Sequence, residues 1–149
     1  MMKEPINPVR LLIVEDNPSD VVFLRYALES DTSWPTEAEF IEDGEAAIDH
    51  VLERQSSPAE EMPDLIIMDL NLPKRDGIEV IKVIRSCKAW QNVPVVVFSS
   101  SPEQVSKVNL GKANLEADCL VTKPFDIEEY LQITQVFRRC YERTRLARV

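Results

Sequence analysis

Several short apolar runs in this chain end on a residue able to do chemistry. Val9 to Val14 is followed by Glu15 and Asp16, the run 65–68 by Asp69, the run 93–98 by Ser99, and the run 119–122 by Lys123. Each run is rich in apolar and β-branched residues, as strands buried on both faces of a parallel sheet tend to be. In an open α/β sheet a ligand site forms beyond the carboxyl ends of the strands, so these residues should share one edge. Three carboxylates gathered there repel one another, and hard oxygen ligands with room for water are what Mg²⁺ prefers, so the acids themselves imply a divalent cation. Lys123 adds a positive charge and Ser99 a hydroxyl, which together can hold an anion and neutralise the charge on transferring phosphoryl oxygens. Asp69, at the end of the most apolar run, is the residue placed to be an attacking carboxylate.

The elements that must position these residues alternate regularly. After the first strand, Asn17-Pro18-Ser19-Asp20 opens a helix that should end near Ser30, with Asn17 as N-cap and Pro18 in the first turn. A weaker strand, 38–41, leads to Asp43-Gly44 and a helix carrying Ala46, Ala47, Ile48, Val51 and Leu52. A polar loop, 55–63, precedes the third strand, and after it a proline-bearing loop leads to Asp76-x-x-Glu79, a capping-box variant for the next helix. Ser101-Pro102-Glu103-Gln104 caps a fourth helix in the same style. Asp126-x-x-Glu129 caps a final helix that should run nearly to the carboxyl end, with Ile127, Tyr130, Leu131, Thr134, Phe137 and Tyr141 on its core face. Five strands alternating with five helices predict a doubly wound, parallel α/β sheet.

With 149 residues and 44% hydrophobic content, the chain suits one domain with its own core: a short extension over 1–8, then a single unit over 9–149. The net charge of −9 argues against nucleic-acid binding. The first apolar run is too short to span a membrane and no signal peptide is evident, so the expected location is the cytoplasm. Cys87, Cys119 and Cys140 form no Cys-x-x-Cys pair and are expected to be reduced and mostly buried. Taken singly, each site residue has a plain structural explanation: an acid at a helix start, a turn former, a surface charge. Taken together they do not, because chance must place acids, hydroxyl and amine each at the carboxyl end of a different strand.

At this point the chain resembles a receiver domain of two-component signalling over about residues 10–139, with a flavodoxin-like fold. The acidic pair matches Glu15-Asp16, and the phosphoacceptor matches Asp69 in Met68-Asp69-Leu70-Asn71-Leu72-Pro73. The loop proline and glycine match Pro73 and Gly77, the hydroxyl residue matches Ser99, and the family's lysine matches Lys123 in Lys123-Pro124-Phe125. The resemblance implies a Mg²⁺ ion held by Asp16, Asp69 and the backbone carbonyl of Asn71, with Glu15 acting through a metal-bound water. It also implies a cis peptide before Pro124, phosphoryl transfer from a sensor histidine kinase to Asp69, and a hydrogen bond from Ser99 to the phosphoryl group that moves the face formed by the fourth helix, fifth strand and fifth helix. The family commonly has an aromatic residue three positions before the lysine, where this chain has Leu120.

The Asp69-Leu70-Asn71-Leu72-Pro73 loop, the polar loop before the third strand and the long last helix resemble regulators paired with bacterial phytochrome kinases, so a bacteriophytochrome is the kinase expected. No output module follows the receiver, which points to signalling through protein contacts. Ile133, Val136 and Cys140 form a second apolar stripe on the last helix, from which a homodimer is expected. An aspartyl-phosphate hydrolase would need a second acid two residues after Asp69, where Asn71 stands. A nucleotide-binding enzyme would need a glycine-rich loop, and Gly44, Gly77 and Gly111 lie far apart. A receiver-like interaction domain without phosphate chemistry would not need the whole set of site residues.

Overall fold

The computed structural model describes residues 7–100 and 117–147. Its strands are β1 (Val9–Val14), β2 (Thr36–Ile41), β3 (Leu65–Met68), β4 (Val95–Ser99) and β5 (Cys119–Thr122). Among the described residues the α-helices are α1 (Pro18–Ser30), α2 (Gly44–Glu53), α3 (Gly77–Ser86) and α4 (Ile127–Ala147), and a 3-10 turn, Ala59–Glu61, lies within the polar loop. The helix expected from Ser101-Pro102 falls outside the described residues. All strands pair in parallel in the order β2-β1-β3-β4-β5, the doubly wound arrangement that the alternation predicts.

Helix starts are set by side chains that satisfy orphan backbone donors. Asn17 Oδ1 accepts from the N–H groups of Ser19 and Asp20, at 2.9 and 3.3 Å. Asp43, Asp76 and Asp126 accept in the same way from Ala46, Glu79 and Glu129, at 2.7, 2.9 and 2.9 Å.

Successive strand residues point to opposite faces, and each face has its own core. Leu12, Val14, Ile66, Met68, Val95 and Val97 pack under α2 and α3 with Val51, Val80, Ile81, Ile84 and Trp90. Leu11, Ile13, Ile67, Val96 and Phe98 pack under α1 and α4 with Leu24, Trp34, Tyr130, Ile133 and Phe137. The edge strand β2, with Glu37 and Glu39 exposed, reads weakly in the sequence because it is half-buried at most. The cysteines are free and buried, as expected.

The last helix corrects the predicted core face. Ile133 and Cys140 are buried with Tyr130, Thr134 and Phe137, whereas Ile127 and Leu131 lie outside, Leu131 at 40% exposure against 5% for Ile133. Ile133 and Cys140 therefore belong to the core of this chain and are not available as a stripe for self-association. The helix is rotated relative to the prediction because α1 packs on one flank of α4, so Ile133 and Phe137, rather than Leu131, fall over β4 and β5. Truncation separates the two faces: Ile133→Ala should cost about 2–4 kcal/mol as a cavity mutation, and Leu131→Ala less than about 1 kcal/mol, read from urea unfolding midpoints. Equal losses would contradict this packing.

Candidate functional site

The sheet register explains why the reactive residues meet. Val14 pairs with Met68 and Met68 with Val97, so Glu15 and Asp69 each lie one step beyond a paired residue on adjacent strands. Ser99 pairs with Thr122, which sets Lys123 one step further along β5. Backbone bonds carry the ladder past the strand ends: Glu15 N–H donates to Ile41 O at 3.0 Å, Asp69 N–H to Val14 O at 3.0 Å, and Lys123 N–H to Ser99 O at 3.1 Å. One carboxylate oxygen from each of Glu15, Asp16 and Asp69 lies within 4.8 Å of the others; Glu15 and Asp69 are buried and Asp16 is exposed.

The loop after Asp69 is tightly folded. Asn71 N–H donates to Asp69 Oδ1 at 3.1 Å, and Lys74 turns the chain with φ of 69°, a backbone region that costs a non-glycine residue energy. Gly77 N–H then bonds to Leu70 O at 3.0 Å. A Cβ at Gly77 would stand 2.2 Å from Asp69 O, so only glycine lets the start of α3 close against the backbone of Asp69.

Lys123 unites the site. Its side chain is 9% exposed, and Nζ lies 3.0 Å from Glu15 Oε2, 2.8 Å from Asp20 Oδ2 and 3.2 Å from Asp69 Oδ2. An ammonium has three N–H donors, and three carboxylates accept them. Burial alone would lower the lysine pKa, but the hydrogen bond to Asp20 and the charges of Glu15 and Asp69 reverse this and hold it above the ordinary lysine range. Glu15 is pushed up to about 7 by burial and by the charge of Asp69, against the opposing pull of Lys123. Asp69 thus has one oxygen held by Asn71 N–H and the other by Lys123.

The structure brings Glu15, Asp16, Asp69 and Lys123 together at one pole, with Asn71 in the adjoining loop. Ser99 is buried at the end of β4 on the same pole. The peptide before Pro124 is trans, which corrects the expected cis bond. Lys123 reaches the carboxylates in this isomer, and trans is the lower in energy for an X-Pro bond by about 0.5–1 kcal/mol.

Two residues of the site escape the sequence. Asp20 reads there as an ordinary first-turn acid and Tyr130 as a core residue, yet Tyr130 OH donates to Asp20 Oδ1 while Asp20 Oδ2 holds Lys123. Only the tertiary meeting of α1, β5 and α4 shows it; the one local signal is that Asp20 stands one helical turn after Asp16. The donor set of clustered carboxylates, one of them open to solvent, fits a hard divalent cation with retained water.

Comparison with known proteins decides the family. The response regulator receiver domain model matches residues 11–135. This chain belongs to that family. The KDP operon transcriptional regulatory protein KdpE of Escherichia coli is 42% identical over 119 residues, 80% of this chain and 46% of KdpE. The chain therefore spans about half the length of that relative. Response regulator Rcp1 of Synechocystis is 29% identical over 135 residues, covering 90% of each, and its Mn²⁺-bound structure superposes with a TM-score of 0.70 over 87% of this chain and 91% of that one. The phosphorylated cyanobacterial phytochrome response regulator RcpA is 32% identical, with a TM-score of 0.75, covering 91% of this chain and 94% of that one. The resemblance to phytochrome-associated regulators is thus met among its relatives. Receiver domains bind a divalent metal and interact with histidine kinases, and this chain is a receiver of two-component signalling.

The Glu15 environment has a measurable consequence. Its proton is released near pH 7 in the folded chain and near 4.5 when the chain is unfolded. Between these values the folded state binds more protons, so without metal the contribution of Glu15 to stability falls as pH rises through that window. Urea midpoints of wild type and Glu15→Gln in chelator, at about pH 5 and about pH 8, should show a flatter profile for the variant; parallel profiles would be the contrary result.

Proposed function

We propose that Asp69 accepts a phosphoryl group from the phosphohistidine of a sensor histidine kinase in a Mg²⁺-dependent reaction, and that the chain then signals through protein contacts. The observation that carries this reading is the state of Asp69: buried, fixed on both oxygens, 3.2 Å from the Lys123 ammonium and within 4.8 Å of two further carboxylates. One oxygen of Asp69 attacks phosphorus, the P–N bond breaks as the new O–P bond forms, and the imidazole of the kinase leaves. Lys123 lies where it can neutralise phosphoryl oxygens, and Ser99 supplies a hydroxyl to one of them. Asp16, Asp69 and the carbonyl of Asn71 would hold the metal, with Glu15 bonded to one of its waters. When bound, the metal supplies neutralisation of charge on the phosphoryl oxygens. Hydrolysis of the acyl phosphate by water returns Asp69 to its starting form, so the only reactions this chain catalyses are its own phosphorylation and dephosphorylation.

The likeness to RcpA and Rcp1 supports a bacteriophytochrome as the partner kinase. The net charge of −9 supports a protein output without nucleic-acid contact. No described helix is long and apolar enough to cross a membrane, which supports the cytoplasm as its location. For domain organisation, we take 9–149 as one receiver unit whose last helix continues to Ala147, past the matched region, with 1–8 as an extension. For a homodimer through the last helix, the surface that supports it is the exposed row Ile127 and Leu131, since Ile133 and Cys140 are buried.

Incubation with acetyl phosphate and Mg²⁺, read by mass spectrometry, should add one phosphoryl group to wild type and none to Asp69→Asn. Asp16→Asn should need at least about tenfold more Mg²⁺ for the same yield, as loss of a carboxylate ligand implies. Absence of the adduct in wild type, with both acetyl phosphate and phosphorylated kinase as donor, would sink the reading. Light scattering with and without a phosphoryl mimic tests self-association, and a monomer under both conditions would remove the homodimer.

A further inference from the structure

Asp20 has no part in the phosphoacceptor reading above, yet it makes the shortest of the Lys123 contacts, 2.8 Å, against 3.0 Å for Glu15 and 3.2 Å for Asp69. Its second oxygen accepts the hydroxyl of Tyr130, a residue of the last helix that is 3% exposed. Hydrogen bonds therefore run without a gap from Asp69 through Lys123 and Asp20 to Tyr130. The Tyr130 ring packs in turn against Phe23 of α1, with centroids 5.2 Å apart, and against Phe98 of β4 at 6.2 Å. Phe98 immediately precedes Ser99 and meets Phe137 of α4 at 5.4 Å. The strand position where an aromatic is common in the family is Leu120, so β5 does not supply an aromatic there.

We propose that Asp20 is a positioning residue for Lys123 and that, with Tyr130, it carries the state of the Asp69 site to the last helix. The inference rests on the phosphoacceptor reading. A phosphoryl group on Asp69 brings new anionic oxygens within reach of an ammonium whose three donors are already in use. One carboxylate must yield its share. Asp20 is the most exposed of the three, with its side chain at 15% against 1% for Glu15 and 4% for Asp69, so water can resolvate it at the least cost. Release of Asp20 from Lys123 then alters the acceptor that holds the Tyr130 hydroxyl, and a buried hydroxyl follows its partner or finds another. The moved element is α4, and the aromatic contacts of Tyr130 couple that movement to β4 beside Ser99.

The full chain labelled with 3-fluorotyrosine has three tyrosines, Tyr26, Tyr130 and Tyr141, and Tyr130→Phe assigns the resonance of interest. Beryllofluoride with Mg²⁺ is the phosphoryl mimic, and its own bound fluorine signal reports occupancy separately. In saturated wild type the Tyr130 resonance should shift. In Asp20→Ala, with bound beryllofluoride present, that response should be lost, and Asp20→Glu should restore it in part. A Tyr130 resonance that stays still in saturated wild type, or shifts equally in Asp20→Ala, overturns the relay while leaving the phosphoacceptor reading intact. No bound beryllofluoride in wild type would overturn both. Urea midpoints confirm that each variant is folded at the temperature of the spectra.

Discussion

One lysine among carboxylates sets the terms for this molecule. Glu15, Asp16 and Asp69 come within 4.8 Å at the same pole, and Asp20 joins them through Lys123. Each like-charge pair at that separation costs on the order of 3 kcal/mol with an effective dielectric constant of about 20. A single ammonium cannot cancel several acids, so the resting site keeps an excess of negative charge. Burial and that excess together raise the affinity of Glu15 for its proton, and the excess favours a divalent cation. The folded chain tolerates it because the backbone leaves little choice: Glu15 and Asp69 hang one residue beyond hydrogen-bonded strands whose buried side chains fix the register on both faces.

The packing around the site serves the same end. A slip of one residue along β3 would exchange Ile66 and Met68 with Leu65 and Ile67 between two distinct cores, and would also turn the Asp69 side chain away. Closure of α3 on the backbone of Asp69 at Gly77 leaves no room for a side chain and holds the loop from the other side. The carboxylate is therefore positioned by the core of the whole domain and by its own loop at once. This is the support that a reactive group on a rigid strand end requires.

Much of this was legible in the sequence because it is local. The apolar runs, the residue that follows each, and the caps at Asn17, Asp76 and Asp126 are all read within a few positions, and the fold and the acid, hydroxyl and amine set follow from them. What was not legible depends on contacts across the fold. Asp20 and Tyr130 are 110 positions apart, and nothing in either neighbourhood announces the pairing. The core face of α4 is read correctly at Tyr130, Thr134 and Phe137 and wrongly at Ile127 and Leu131, because those two keep helical spacing with them as well as Ile133 and Cys140 do, and only the position of α1 decides between the rows. Trp34, in the turn before β2, is buried with the α1 side of the core, a contact that its polar and proline neighbours Ser33 and Pro35 do not announce.

The polar segment between α2 and β3, with its 3-10 turn at Ala59–Glu61, enters β3 at the end away from Asp69. Parallel strands separate the two poles of the sheet, so one pole can vary in length while the other stays fixed. Doubling such a loop costs only about 0.6 kcal/mol in closure entropy. A lineage descending from this chain could thus acquire insertions there, and with them new surfaces, without disturbing the carboxylates at the far end. An insertion of equal size between Asp69 and Gly77 has no such freedom.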